Sequence, residues 1–452
     1  MNFLDNIFFA ILLIIGFGYF TINVKKLIRN INLGKEVNRT DNSSARWKNM
    51  AMIALGQSKM IKRPIAGVLH IIVYLGFVII NIELLEIIID GLFGTHRVFA
   101  FLGSLYSFLI GSFEVLAFLV LVAVLVFWTR RNVVKLKRFV SSDLKGSPKK
   151  DANYIIYFEI VLMSLFLLMN ASDFWLQQAG VSHYIQAGAF PVSHFISPIF
   201  NGMSETSVMM LERSFWWMHI IGILVFLNYL YYSKHLHILL AFPNTYYADL
   251  NPKGQFDNLE SVTKEVKLMM DPNADPFAAQ PIDDTRGETE LSEANAVPSK
   301  FGASDVQDLN WVQLLNAYTC TECGRCTSVC PANETGKKLS PRKIMMATRD
   351  RLEEVGRNMD KNKGVFIPDN VSLLNDYITT EELWACTSCN ACVEECPVNI
   401  SPLSIIMDMR RYLVMEQSAA PQSLNAMMTN IENNGAPWQY NQMDRLNWKD
   451  EL

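Results

Sequence analysis

Two short cysteine runs near the C-terminal end of the chain decide the fold of that region. They read Cys320-Thr-Glu-Cys323-Gly-Arg-Cys326-Thr-Ser-Val-Cys330-Pro331 and Cys386-Thr-Ser-Cys389-Asn-Ala-Cys392-Val-Glu-Glu-Cys396-Pro397. Both have the spacing C-x2-C-x2-C-x3-C-P, in which three thiolates bind one [4Fe–4S] cluster and the fourth reaches the other cluster. We therefore assign the first cluster to Cys320, Cys323, Cys326 and Cys396. The second cluster takes Cys386, Cys389, Cys392 and Cys330.

These two runs hold all eight cysteines of the chain. Zinc is one alternative, but structural zinc sites usually combine two C-x2-C pairs, or such pairs with histidine. Disulfides are another, but they need an oxidising compartment, and the topology derived below places these residues in the cytoplasm. The pattern therefore favours two [4Fe–4S] clusters.

Composition divides the 452 residues into an apolar first half and a more polar second half. The chain is 50% hydrophobic and 19% charged, and its net charge of −4 gives no basic footprint for nucleic acid. Because further apolar segments follow the first one and no small-residue cleavage site does, we interpret it as a retained helix. The segments long enough to cross a bilayer lie near 6–24, 64–89, 104–128, 154–173 and 214–233.

Basic residues are distributed unevenly between these segments. Ten lie in 25–63 and eight in 129–153, whereas 91–98 has only Arg97 and 174–212 has none. Because basic loops stay on the cytoplasmic side, this pattern predicts a multi-pass protein of the bacterial cytoplasmic membrane with its N-terminus outside. The cysteine runs then lie in the cytoplasm.

We expect an all-α protein. Ser340-Pro341 and Ser401-Pro402 each place serine at a helix N-cap and proline at the first helical position. Strand-like alternation is scarce in the same region. The predicted parts are a five-span membrane domain (1–245), an acidic linker (246–304), a helical two-cluster domain (305–415) and a partner-contact tail (416–452).

Histidines near the membrane segments point to haem. His70 enters the second segment from the inner side and His237 follows the inner end of the fifth, so we expect both at one depth, where two imidazoles could hold one haem b. His219 lies near the outer end of the fifth segment. If that helix continues, His219 and His237 are five turns apart on one face, separated by about 27 Å, which suits a ligand for a second haem. The alternative is hydrogen-bonded histidines at the membrane interface.

Two acidic residues within the apolar segments also need a reason, since ionisable groups inside a membrane are usually functional. Glu114 lies mid-way along the third segment and Glu159 near the inner end of the fourth. Either could transfer protons for a quinone, whose reduction consumes two protons; pairing with a basic group is the alternative.

We expect His235 to face lipid headgroups. The outer-loop histidines, expected at the surface, are His96, His183 and His194.

The apolar half resembles the cytochrome b (gamma) subunit of respiratory nitrate reductase and the related membrane subunit of heterodisulfide reductase. The resemblance rests on Gly56-Gln57-Ser-Lys59, Gly67-Val-Leu-His70, Trp216-Trp217-Met-His219 and Ser233-Lys-His-Leu-His237. It implies His70 and His237 as ligands of an inner haem b and His219 as one ligand of an outer haem b. That family has a second histidine in the second span, where this chain reads Val78-Ile-Ile-Asn81. The outer haem is therefore absent, or it is completed by one of His96, His183 and His194.

The cysteine runs, with Gly336-Lys-Lys-Leu-Ser-Pro341, resemble the iron–sulfur C subunit of heterodisulfide reductase. That family carries out its substrate chemistry on a separate subunit with Cys-Cys-Gly motifs. This chain has no adjacent cysteines and no glycine fingerprint for a flavin or dinucleotide. We therefore expect a membrane-bound electron-transfer subunit between a cytoplasmic cysteine-rich or flavin partner and the quinone pool. The alternatives are a haem-free, membrane-tethered ferredoxin and a redox sensor, for which we find no output domain.

Overall fold

The structure, a computed structural model, describes residues 3–272 and 300–450, and within these ranges it is helical and contains no strand. The all-α prediction is confirmed for these residues. The helices are α1 Phe3–Ile31, α2 Ser43–Met50, α3 Pro64–Phe93, α4 Ser104–Asn132, α5 Ser147–Gln178, α6 Ser193–Ile196, α7 Glu205–Tyr229, α8 His237–Tyr246, α9 Glu260–Met270, α10 Trp311–Thr319, α11 Pro331–Glu334, α12 Pro341–Lys361, α13 Thr380–Trp384, α14 Ala391–Glu395, α15 Pro402–Arg411 and α16 Gln422–Asn434.

Five helices, α1, α3, α4, α5 and the α7 region to Tyr232, are long and apolar enough to cross a membrane. They pack into one bundle around a core that includes Phe9, Phe113 and Phe166. The bundle also leaves large apolar side chains uncovered; Ile14 is 72% exposed and Phe108 69%. Water would not tolerate so extensive an apolar surface, whereas lipid tails cover it at no cost. The chain is therefore membrane-associated.

The cysteine runs lie in a second helical region that packs against one end of this bundle. Its core includes Leu314, Ile344 and Ile405, and it is continuous with Leu27 of α1 and Leu230 beyond α7. The two Ser-Pro signals start helices as expected. Ser340 and Ser401 accept hydrogen bonds from backbone N–H groups three residues on, and α12 and α15 begin at the prolines that follow.

The five-turn alignment requires the fifth helix of the bundle to continue to His237, but this helix ends earlier. It ends at Tyr229, and Ser233 is extended (φ −118°, ψ 146°) while its side chain accepts a hydrogen bond from the His235 N–H. Serine favours this local capping geometry over a helix interior. The expectation that His219 and His237 share one face of one straight helix is therefore wrong.

The predicted linker and tail differ from each other. The predicted linker contains the helix α9, and its acidic run Asp283–Glu293 lies outside the described residues. The tail forms α16 and a 3₁₀ turn over Gln442–Lys449, neither of which contains a buried residue. Trp438 and Trp448 are 62% and 61% exposed. The four-part domain division itself stays a prediction.

Candidate functional site

The structure brings three cysteines of the first run together with two of the second. Cys320, Cys323 and Cys326 line one pocket with Cys396, and Cys392 also borders it. Cys320 and Cys396 are buried, so these thiols are shielded from water. This grouping is the one that a crossed fourth ligand requires.

The charges that act on the remaining thiols indicate which of them lie near one another. Burial, followed by the charges of Cys386 and Cys330, raises the pKa of the Cys392 thiol to about 12. Burial also raises the pKa of the Cys386 thiol, and the charge of Cys330 raises it further. Cys330 of the first run therefore lies beside the second run. A cysteine that binds iron is a thiolate, so iron binding would displace these protons.

Among residues 3–272 and 300–450, no three His, Cys, Asp or Glu side chains converge closely enough to bind one ion. The assignment of the thiols to [4Fe–4S] clusters rests on the spacing of the two cysteine runs.

The two cysteine loops have matching backbone conformations. Glu322 and Ser388 occupy equivalent places in the two runs and both have positive φ (55° and 56°). The equivalent pair Gly324 and Asn390 is also left-handed (72° and 58°). These turns direct backbone N–H groups towards sulfur, as where Ser388 N donates to Cys386 Sγ (3.4 Å). Hydrogen bonds to cysteine sulfur are one means of setting a cluster's potential.

Ion pairs hold the first cysteine loop against the bundle. Glu322 is buried between Lys234 and Arg349, with the Arg349 Nη2–carboxylate distance at 2.6 Å. Although burial opposes ionisation, Arg349 and Lys234 hold the pKa of Glu322 below its usual value. Arg325 donates to the carbonyl of Lys59 (3.1 Å), within the loop that leads into α3.

Arg342 at the start of α12 makes a third attachment. Its guanidinium is 1% exposed and pairs with Asp143 (2.6 Å), and it donates to the carbonyl of Arg138 (2.9 Å). The basic segments 25–63 and 129–153 therefore both contact the cysteine-bearing region. Both lie at the same end of the bundle.

His70 and His237 face each other at that end, with ring centroids 6.4 Å apart. Two imidazoles on opposite sides of one metal, with bonds of about 2 Å, have centroids roughly 6 Å apart, so both rings could bind the same iron. His237 Nδ1 lies 3.2 Å from the Lys234 carbonyl, which leaves Nε2 free. His70 Nδ1 is buried without a hydrogen-bond partner among the described residues. The residues present therefore fit a haem.

His235 does not face lipid headgroups as expected. Its Nε2 lies 3.9 Å from Glu159, and its ring centroid lies 5.3 Å from that of His237. Burial and then His237 and His70 lower the pKa of His235 to about 3, so the ring is neutral. The headgroup prediction was wrong because the chain leaves the helix at Ser233, and the ring of His235 then packs against Phe226 and His237.

His219 lies apart from the other histidines. It is 4% exposed, its Nδ1 lies 3.1 Å from the Leu162 carbonyl, and its ring packs against Phe166. The described ring contacts of His96 and His183 are with each other (5.5 Å) and with Tyr184. His194 packs on Phe174. None of these ring contacts joins His219 to a second histidine.

His96 is also not the surface residue expected. Its side chain is 9% exposed and its Nε2 lies 3.2 Å from Asp173. His183 and His194 are exposed, as predicted.

The two acids singled out in the apolar segments have different surroundings. Glu114 accepts hydrogen bonds from Val192 N (3.0 Å) and Ser193 N (3.1 Å), so its carboxylate fixes the outer loop to α4. Glu159 lies near His235, at the end that carries the histidine pair.

Sequence reasoning missed a second set of buried ionisable residues, at the end of the bundle away from the cysteine-bearing region. Arg97 donates to Asp173 (2.7 Å) and Asn170 (3.0 Å) and lies 3.7 Å from Glu83. Glu86 accepts from Phe99 N (2.8 Å) and from the hydroxyl of Tyr106. The sequence signal for this network was the presence of acidic residues at positions 83, 86 and 173 inside apolar segments. The network joins α3, α4 and α5.

Comparisons agree with the cysteine pattern. Residues 319–400 match the family described as a 4Fe-4S dicluster domain. The chain is 29% identical to a probable iron-sulfur-binding oxidoreductase FadF of Bacillus subtilis, over 96% of this chain and 59% of that protein. It is 26% identical to the EtfAB:quinone oxidoreductase of Syntrophomonas wolfei, over 92% of this chain and 55% of that protein. A probable membrane-anchored ferredoxin of Chromohalobacter salexigens is 33% identical over 36% of this chain and 26% of that protein.

Shorter segments match heterodisulfide reductase subunits C and D from Methanosarcina species, which confirms that part of the predicted resemblance. The resemblance to nitrate reductase stays a prediction. The chain spans less than two thirds of the length of the two longest-matching relatives. No solved structure matches. The chain is thus a membrane-associated protein with a 4Fe-4S dicluster domain, similar to iron–sulfur oxidoreductases.

Proposed function

We propose that this protein is the membrane-bound electron-transfer subunit of an iron–sulfur oxidoreductase. It moves electrons between a cytoplasmic redox partner and the quinone pool through two [4Fe–4S] clusters and haem b. Cys320, Cys323, Cys326 and Cys396 hold one cluster. The other cluster is held by Cys386, Cys389, Cys392 and Cys330.

One observation carries the proposal: the first cysteine loop is bonded to the segment that leads directly to His70. Arg325, between Cys323 and Cys326, donates to the carbonyl of Lys59, and α3 starts five residues later at Pro64. Electron transfer requires donor and acceptor to be held at a fixed short separation. This hydrogen bond and the Glu322–Lys234 pair hold the cysteine loop against the segments that carry His70 and His237.

When bound, haem b and the clusters supply one-electron transfer, while a quinone takes two electrons and two protons. His70 and His237 would hold the haem at the bundle end next to the first cluster. The Lys234 carbonyl, 3.2 Å from His237 Nδ1, orients that ring. His219 is a ligand candidate for a second haem, although none of the described ring contacts brings His96, His183 or His194 to it.

Glu159 is the stronger of the two candidates for proton transfer to the quinone. It lies 3.9 Å from His235 and near the haem-ligand pair. Glu114 is engaged by two backbone N–H groups, which favour a structural role.

The bundle end that contacts the cysteine-bearing region carries both basic segments, which supports assigning it to the cytoplasm. The N-terminus is then outside. We infer that substrate chemistry belongs to a cysteine-rich or flavin partner. Relatives named as heterodisulfide reductase subunits and an oxidoreductase of EtfAB and quinone support such a partner.

Metal analysis of anaerobically purified protein tests the proposal. Eight non-haem irons, equal acid-labile sulfide and one haem b by pyridine haemochrome are expected. Two haems per chain would support His219 as a ligand of the second haem. Eight non-haem irons without haem would favour the second candidate, a membrane-tethered ferredoxin, which the ferredoxin relative supports. Fewer than four irons per chain, in protein kept anaerobic throughout, would contradict both.

A further inference from the structure

An open crevice lined by cationic side chains lies between the inner ends of α3 and α4. Its volume is about 600 Å³. Five of its lining residues are basic and none is acidic; the basic residues are Lys62, Arg63, Arg130, Lys137 and Arg138.

Three of these cations form no ion pair with a carboxylate in the described part of the chain. Lys62 and Arg63 pair with Glu394 (2.8 Å) and Glu395 (2.7 Å). Arg130, Lys137 and Arg138 form no ion pair with a described residue. Like charges gathered in one crevice repel each other, so the arrangement gains stability from a bound anion.

The crevice lies at the height of the lipid headgroups. Helix α3 has 30 residues, which at 1.5 Å per residue span about 45 Å, close to the full thickness of a bilayer with its headgroups. Its first turn, at Pro64 and Ile65, lines the crevice, and Ile65 is 64% exposed. An apolar wall therefore runs from the cationic rim towards the hydrocarbon layer.

We propose that this crevice binds an anionic phospholipid, with the headgroup phosphate on the cations and an acyl chain along the first turn of α3. A basic pocket between spans on the cytoplasmic side is suited to such headgroups. Neutral ligands would leave the unpaired cations without a counterion. Ser328, which follows the first three cysteines, also lines the crevice, so the lipid would touch both the bundle and the cysteine-bearing region.

The test compares lipid binding by native mass spectrometry. Full-length protein, stripped of lipid in detergent, is titrated with phosphatidylglycerol and with phosphatidylcholine of the same acyl chains. Each cation contributes about fivefold in affinity for an anionic headgroup. Arg130→Gln/Lys137→Gln should therefore weaken phosphatidylglycerol binding about 25-fold and leave phosphatidylcholine unchanged. Arg138 is kept, because its charge also interacts with that of Cys323, a proposed cluster ligand.

Two variants control for folding and for general loss of charge. Arg130→Lys/Lys137→Arg keeps both charges and should bind like the wild type. Lys145→Gln/Lys149→Gln removes two exposed cations of the same basic segment that do not line the crevice, and should also bind like the wild type. Equal binding of the two lipids by the wild type would overturn the proposal, as would equal losses in the crevice variant and the Lys145/Lys149 variant. Displacement of phosphatidylglycerol by inorganic phosphate at similar affinity would assign the crevice to a soluble anion instead.

Discussion

Replacing Arg342 by methionine should weaken the attachment of the cysteine-bearing region to the membrane bundle by about 3–5 kcal/mol, the usual cost of leaving one partner of a buried ion pair alone. The guanidinium is 1% exposed and Asp143 is 9% exposed, so the carboxylate left behind has little access to water. The hydrogen bond to the Arg138 carbonyl is lost as well. At 25 °C the expected change shifts the attachment equilibrium by two to four orders of magnitude, since about 1.4 kcal/mol is a factor of ten.

Hydrogen–deuterium exchange of the segment 133–146 in detergent would measure this change. Protection should fall in Arg342→Met and largely return in Arg342→Met/Asp143→Leu, because removing both charges leaves no unpaired ion. Arg357→Met is the matched control on the same helix. Its side chain is 61% exposed and pairs with Glu353, and exposed helix pairs contribute only about 0.3–0.5 kcal/mol. Unchanged exchange in Arg342→Met would refute the reasoning that this ion pair anchors the region.

Three further predictions concern the redox sites. His70→Ala should abolish the haem b spectrum while the protein still inserts in the membrane, because the iron loses one of its two imidazoles; the pyridine haemochrome measures this. Cys396→Ser should damage the first cluster and spare the second, despite its position in the second run, and EPR of the reduced protein separates the two. Glu159→Gln should slow quinone reduction by roughly 10²-fold, as for loss of a proton-transfer group, with little change in haem content; a quinone-reduction assay measures this.

Matched variants keep these predictions distinct from general damage. His194→Ala alters an exposed outer-loop histidine and should leave the haem spectrum intact. Selective loss of the second cluster in Cys396→Ser would contradict the crossed ligation. Glu114→Gln should lower the stability of the protein and have only a small effect on the rate of quinone reduction, since Glu114 is held by two backbone N–H groups. If Glu159→Gln and Glu114→Gln slowed the assay equally, Glu159 would have no special role.

Features that depend on residues close together in the sequence were predicted, whereas contacts between residues far apart in the chain were not. The helix starts at Pro341 and Pro402 follow from two adjacent residues each, and the apolar segments follow from composition. The break at Ser233 carries no proline or glycine signal, so the alignment of His219 with His237 failed there. The contact of Arg342 with Asp143 joins residues far apart in the chain. No periodicity or motif marks such a pair, and only the packing of α12 on the loop between α4 and α5 creates it.

The shared pocket of Cys320, Cys323, Cys326 and Cys396 also bears on how the protein is made. A ribosome releases the first run before the second, so three thiols of that pocket leave it while their fourth companion has not yet been translated. In the proposed ligand sets, Cys330 likewise joins Cys386 and Cys392, which are translated after it. With these ligand sets neither half of the region could complete a four-thiolate site alone. A chain truncated between the two runs is therefore expected to bind neither cluster.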